Sequence, residues 1–507
     1  MSDGIQMNQA QSILSKCTFG HRVAEDEADA LSEYFVETEN WLKVFNGEVD
    51  VVYGPKGAGK SALYSLLVFK TDELFDKGVL LVAGENPRGA PAFQNLSIDP
   101  PESEVVFVGL WKLYILTIIN NTLAEYGISN EHTKRLNSYL ADEGLAEKNR
   151  DLSAYVQSAF DYVRSFFRRE VEAIEGGFSF DTVTQLPNGL NGKITFREPG
   201  QKQREEGFVS VGSLFDDANT ALKHAGISIW VLLDRLDVAF AESSDLEKNA
   251  LRALFRTYLD LLGFDAIRIK IFLRTDIWNR IIEEGFREAS HITKHVTIRW
   301  NETSALNLIS RRFLRNQSIQ DTYAVAPSDV LADSEEQERL FYRIFPDQVD
   351  VGPNKLRSFN WILSRTSDAT SLYSPREIIH FLNSIRIEQL KRYENGVHSP
   401  EDGRLFERST FKEALPDVSN VRLQQTLFAE HPDLKDWVES LTGEKTEQSV
   451  ETLAKVWNVK PIEAEQIAER LVQVGFFERR GPRAEPRYWV PFLYRDALNL
   501  SQGSATQ

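Results

Sequence analysis

Apolar and polar positions along this chain follow two rhythms. Residues 48–53, 77–83, 227–233 and 267–273 are short, nearly continuous apolar runs, and each reads as a strand. The last two are rich in Ile, Val and Leu, as expected of central parallel strands buried on both faces. Helical spacing follows the first run at 62–69, and separates the last two at about 245–262. Strand alternating with helix predicts a doubly wound α/β sheet. Residues 105–124 read as a long, mostly buried helix, whose greasiest part, 105–119, is expected to be too short for a bilayer and holds Lys112.

Outside that core the rhythm is mostly helical. Residues 19–45 predict an amphipathic helical lead-in packed beside the segment at 54–61, with apolar positions on one face and acids on the other. The pattern loosens over about 128–210, with polar helices around 131–172. An alternating stretch with Asn-Gly turn signals at 178–196 then suits a hairpin. This reads as an insertion between core strands. Residues 302–395 predict a helical lid, 396–404 a polar linker and 405–445 further helices. The tail predicts a helix at 448–457, a Lys-Pro break, a helix at 462–474 and a strand–turn–strand, which is winged-helix order. The expected organisation is therefore a lead-in at 1–46, a core at 47–300, a lid at 301–395, and a helical segment with a winged helix (about 448–494) at 405–507.

Between the first strand and its helix stand Gly54, Pro55, Lys56, Gly57, Ala58, Gly59, Lys60, Ser61 and Ala62. The first eight complete the G-x-x-x-x-G-K-[ST] phosphate-binding pattern, in the strand-to-helix context it requires. Glycines let the backbone curl so that successive N–H groups and the helix N-terminus point at a phosphate. Lys60 then reaches the β and γ oxygens, and the Ser61 hydroxyl ligates Mg²⁺. The chain is thus expected to bind ATP with Mg²⁺. A guanine-reading Asn-Lys-x-Asp does not occur: the nearest string, Asn354-Lys355-Leu356-Arg357, lacks the Asp.

Composition narrows the classes. With 58 Lys and Arg against 75 Asp and Glu, the net charge of −17 argues against broad nucleic-acid coating. Cys17 is the single cysteine, so no intrachain disulfide forms and a reducing compartment is expected. The first residues lack the apolar region of a signal peptide, and a cytoplasmic protein without membrane attachment is expected.

Hydrolysis needs a carboxylate beside the metal. Asp234, ending the 227–233 strand, is the natural metal-side carboxylate, and Asp237 sits where it would orient the lytic water. Each is otherwise an ordinary loop or helix-capping aspartate. Arg235 stands where many such proteins carry a glutamate. Arg274 and Thr275 end the neighbouring strand, where related ATPases carry a polar residue that senses the γ-phosphate; the other reading is a solvated strand terminus. Ser374-Pro375 starts a lid helix and aims Arg376 as a second sensor. Arg256, Arg280, Arg287, Arg311 and Arg312 are candidates for an arginine acting across a subunit boundary, and each taken alone reads first as a solvated charge. In the tail, Arg479, Arg480, Arg483 and Arg487 make a basic wing, while the presumed recognition helix carries Glu463, Glu465 and Glu469.

In their order, GHRVAEDEADALSEYFVET, VVYGPKGAGKSAL, VLLDRLD, FLRTDIW, the IRW and LISRRF stretch, SPREIIHFL and the terminal winged helix resemble a bacterial P-loop ATPase group on the border of the STAND, KAP and AAA+ families. The resemblance touches most of the chain except 128–210. It implies an ATP-driven switch that often oligomerises, with relatives encoded beside antiviral defence genes. It assigns Lys60 and Ser61 to phosphate and Mg²⁺, Asp234 to the strand carboxylate and Arg376 to the second sensor. The implied partners are other copies of the chain and a separate effector protein, since no effector chemistry is evident and His numbers only eight. The other function weighed is an origin-recognition-type DNA-binding ATPase using the winged helix.

Overall fold

The computed structural model describes residues 9–21, 27, 35–85, 92–93, 103–146, 151–175, 193–236, 243–283, 285–370, 373–396, 400 and 403–505. The chain folds as two compact units. One comprises residues 39–55 and 60–298, and the other residues 1–38, 56–59 and 299–507.

The first unit is built on a parallel sheet. After the helix α1 (Glu39–Phe45) come β1 (Val51–Gly54), α2 (Lys60–Phe69), β2 (Val79–Ala83) and α3 (Glu104–Glu125). Then follow α4 (Glu131–Asp142), α5 (Leu152–Glu175), the short strands β3 (Ile194–Thr195) and β4 (Val209–Ser210), and α6 (Val211–His224). The unit closes with β5 (Ser228–Leu233), α7 (Ser244–Leu261), β6 (Ile267–Arg274), α8 (Thr275–Glu283) and β7 (His295–Thr297). The sheet order is β2-β5-β6-β1-β7, and every pairing is parallel. Strand β6 thus separates the strand that feeds the glycine-rich loop from the strand that ends in Asp234. Burial on both faces explains the unbroken apolar run of β5, five of whose six residues are buried.

The α3 helix is the spine of this core. Leu110, Trp111, Leu113, Tyr114, Ile115 and Leu116 are fully buried, and the Trp111 indole N–H donates to the Ala250 carbonyl at 2.8 Å. Its 22 residues are long and apolar enough to cross a bilayer, which corrects the sequence expectation on length. Of its most apolar window, 83% is buried inside the protein, so the apolarity is that of a core helix. Leu136, Leu140, Val156, Phe160, Ile194 and Val209, all from the 128–210 stretch, join the same core. Most of the expected hairpin at 178–196 lies outside the described residues; the strand at its end, β3, pairs in parallel with β4.

The second unit is largely helical, with α9 (Glu302–Leu314), α10 (Ser358–Thr366), α11 (Pro375–Glu394) and α12 (Arg408–Arg422) around one apolar core. Pro375 takes the first helical position of α11. Most of the predicted lead-in, 22–26 and 28–34, lies outside the described residues; α1 is its described helical part, and the helix Gln9–Lys16 is an element the sequence reading lacked. The unit's tail runs β8 (Lys445–Ser449), α13 (Val450–Trp457), α14 (Pro461–Gln473), β9 (Glu478–Arg480), β10 (Arg487–Trp489), α15 (Phe492–Arg495) and β11 (Ser501–Ser504). Gln448 and Ser449 belong to a strand, not to the predicted helix. The Ser449 hydroxyl caps α13 by accepting from Thr452 N. β10 pairs antiparallel with both β8 and β9, so strand, two helices and hairpin form one sheet-backed module.

Candidate functional site

Gly54 ends β1 and Lys60 begins α2, so the glycine-rich segment leaves a fully buried strand and enters a ten-residue helix. Gly57 (φ +80°) and Gly59 (φ +98°) hold left-handed backbone that other residues rarely adopt. Those two positions let the chain reverse tightly into α2, and N–H groups in a helix's first turn, which lack intrahelical acceptors, suit an anion. The Lys60 ammonium donates to the carbonyls of Gly54 (2.9 Å) and Pro55 (3.1 Å), and so arches over its own loop.

The carboxyl ends of β5 and β6 hold the polar side chains. Asp234 is 5% exposed, directly after Leu233. The next residue, Arg235, is left-handed at φ 57°, a conformation that costs a non-glycine about 1 kcal/mol. Strain of this kind persists where surrounding structure fixes it, and clusters at functional turns. Burial pushes the Tyr64 hydroxyl on α2 well above its ordinary range, and the nearby Asp234 and Glu85 carboxylates reinforce that. Tyr64 Oη donates to the Glu85 carbonyl at 3.3 Å, and Tyr114 Oη to the Gly84 carbonyl at 2.8 Å. These two tyrosines fix the end of β2 beside β5.

At the end of β6, Arg274 grips Asp276 through Nε–Oδ1 at 3.0 Å and Nη2–Oδ2 at 2.7 Å. Burial raises the Asp276 carboxyl, but the Arg274 charge and hydrogen bond, a backbone hydrogen bond and the Lys60 charge together hold it below the usual carboxylate range. Lys60, Arg274 and Asp276 therefore share one electrostatic neighbourhood. Asp237, expected to orient water, lies outside the described residues.

Residues 56–59 of the loop belong to the helical unit. Lys56 forms an ion pair with Glu430, and the Trp300 indole N–H donates to the Ala58 carbonyl at 2.9 Å. A Cβ on Gly57 would meet Ser374 Oγ at 2.7 Å and the Arg376 Cβ at 3.1 Å, so only glycine fits there. Arg376 therefore packs against the residue 57 backbone within that unit. The subunit-boundary candidates fare differently. Arg312 is 4% exposed and grips Glu27 at 2.6 and 2.9 Å, so it is structural. Arg256 pairs with Glu104 and Glu288, and Arg280 with Glu247, while Arg287 is exposed.

Sequence reasoning gave no role to Asp276, Tyr64 or Glu85. Asp276 follows Arg274 by two residues at a strand end, a spacing that signals a local ion pair. Tyr64 and Glu85 carried no such signal, because only the β2–β5 pairing brings the ends of those strands together.

No protein-family model matches the chain, and no curated protein matches it. Among solved structures it is similar to the Aeropyrum pernix ORC2 protein, solved as ADPNP–ADP complexes. The identity is 11% and the TM-score 0.34, with 96% of each chain covered. At that level the likeness assigns no residue a role.

Proposed function

We propose that the chain is a P-loop ATPase acting as a switch. One observation carries the reading: a complete phosphate loop lies between a buried parallel strand and a helix N-terminus. The loop N–H groups and Lys60 would bind the β and γ phosphates of ATP. Ser61 and Asp234 would hold Mg²⁺, which neutralises charge on the transferred phosphoryl group. Among the described residues no three His, Cys, Asp or Glu side chains group to hold a metal. A hydroxyl and one carboxylate suit Mg²⁺, which takes its remaining oxygens from phosphates and water.

Arg274 would sense the γ-phosphate, its pairing with Asp276 keeping the guanidinium in place until a stronger anion arrives. Arg376, packed on Gly57, would report the same event to the lid. Asp237 would orient water. Slow turnover is expected, because Arg235 replaces the usual glutamate. The output would be a change of assembly between copies of the chain, acting on a separate effector protein in the antiviral setting that the sequence resemblance implies. The reading is tested by the mass of the protein in solution without nucleotide, with ATP–Mg²⁺ and with ADP–Mg²⁺. A nucleotide-dependent mass, lost in Lys60→Ala, is expected. An unchanged mass with ATP bound would leave an ATPase without this switch.

A further inference from the structure

Arg235 stands where a glutamate would take the proton of the attacking water, and a different carboxylate stands on the neighbouring strand. Strands β2 and β5 pair in parallel, with Ala83 opposite Leu232. The ladder continues past β2, since Gly84 N donates to the Leu232 carbonyl at 2.8 Å. Two further steps along both chains bring Glu85 level with Asp234, on strands that run about 4.8 Å apart. Side chains two residues apart share a face of a sheet. Glu85 thus follows Ala83, and Asp234 follows Leu232, onto one side.

Helix α2 lies against both. Tyr64 comes three residues after Ser61, on the same face of that helix, and its hydroxyl donates to the Glu85 carbonyl at 3.3 Å. The charges of Asp234 and Glu85 both act on that hydroxyl. Glu85 acts in the same way on Tyr114, whose hydroxyl holds the Gly84 carbonyl at 2.8 Å. Glu85 is 1% exposed and Asp234 5%. Burying a carboxylate is costly unless it is paired or serves a cation, and two side by side suit the place where Mg²⁺ would enter. The Glu85 carboxylate is also fixed in direction. Ala92 N donates to its Oε1 at 2.7 Å, and Phe93 packs on Trp111 and Tyr114 at ring distances of 4.4 and 5.0 Å. Such preorganisation is what proton transfer in a closed site needs. All these residues belong to the unit that carries the parallel sheet.

We infer that Glu85 is the general base of the proposed ATPase, supplying from β2 the carboxylate that residue 235 lacks. As the water oxygen bonds to the γ-phosphorus, the bond from that phosphorus to the β,γ-bridging oxygen breaks. ADP departs with the electron pair, and the water's proton passes to the Glu85 carboxylate and then to solvent. Asp237 keeps its part in orienting the water. The inference rests on the ATPase reading, and the test reads binding and chemistry separately so that each can fail alone.

Wild type, Glu85→Gln and Asp237→Asn are compared by calorimetry of ATP with Mg²⁺, by single-turnover hydrolysis and by thermal melts. Glutamine keeps an oxygen that accepts from Ala92 N and loses only the charge. Glu85→Gln should therefore melt at least as high as wild type and bind ATP at least as tightly. Its hydrolysis should be slower by about a hundredfold or more. Nucleotide extracted from it should be ATP, where the wild type yields ADP. If Glu85→Gln melts below the assay temperature, Glu85→Asp carries the test, its charge kept but withdrawn by one methylene. Its ATP affinity should hold while turnover falls by about tenfold or more. A folded variant at position 85 that hydrolyses ATP like wild type, with or without a loss in Asp237→Asn, would overturn the inference and leave the ATPase reading standing. So would a sharp loss of ATP affinity in folded Glu85→Gln, which would put Glu85 on the metal, and so would a wild-type chain that binds ATP without hydrolysing it. A wild-type chain that binds no ATP would remove the ATPase reading and the inference with it.

Discussion

The two ends of the parallel sheet carry similar residues and do opposite things with them. At the carboxyl end, Lys60, Arg274 and Asp276 share one electrostatic neighbourhood, and Asp234 follows the adjacent strand beside Tyr64. At the amino end, Lys270 on β6 is 1% exposed and donates to Asp50 Oδ1 at 3.0 Å and to the Val49 carbonyl. Lys270 also lies 4.2 Å from the Trp230 ring, and Tyr258 Oη donates to Asp50 Oδ2 at 3.4 Å. The neighbouring cavity, about 90 Å³ and lined by Asp50, Tyr258, Arg268 and Lys294, is too small for a nucleotide. Lys60 rests on carbonyls that a phosphate can replace; Lys270 is walled in by its partners.

That contrast breaks most visibly at Lys60. Lys60→Ala should lower ATP turnover by about a hundredfold or more, since it removes a cation aimed at developing phosphoryl charge, and should leave the melting transition nearly unchanged. Steady-state phosphate release beside a thermal melt checks both halves. At the other end the signs reverse. Asp50→Ala leaves Lys270 buried without its carboxylate and should cost about 3–5 kcal/mol of stability, read by chemical denaturation, with the loop chemistry untouched in whatever fraction stays folded.

The pH dependence of Lys270 sharpens the same point. Burial, with the charges of Arg268 and Lys294, pushes its ammonium down to about 8 from an ordinary 10.5, against the pull of Asp50. A folded pKa below the unfolded one means that the unfolded chain holds the extra proton between those values. Stability should therefore rise from about pH 8 to about pH 10.5, by roughly 3 kcal/mol. Denaturant midpoints across that window check it, and Lys270→Met should abolish the rise. The smallest effect is expected at Arg274. Arg274→Ala should slow turnover by about tenfold with ATP affinity little changed, and Asp276→Asn should do less, which single-turnover kinetics would separate.

The phosphate loop was legible because its chemistry lies within eight consecutive residues whose order the backbone turn dictates. β5 and β6 were legible because burial on both faces leaves an unbroken apolar run. β7 was missed, as three residues at a sheet edge carry no period. β8 was read as the start of a helix because the Ser449 cap and the strand's final residues overlap. The proximity of Tyr64 and Glu85 to Asp234 is a product of sheet order, which single-sequence periodicity does not encode. Arg312 shows the converse, a charge that looked available in sequence and is buried against Glu27.

Calorimetric titration of ATP with Mg²⁺ into the wild-type chain and into Lys60→Ala tests the central claim most directly. The account predicts saturable binding that requires Mg²⁺ for full affinity and falls sharply in the variant. A wild-type chain that binds no ATP, or a variant that binds it equally well, would contradict it.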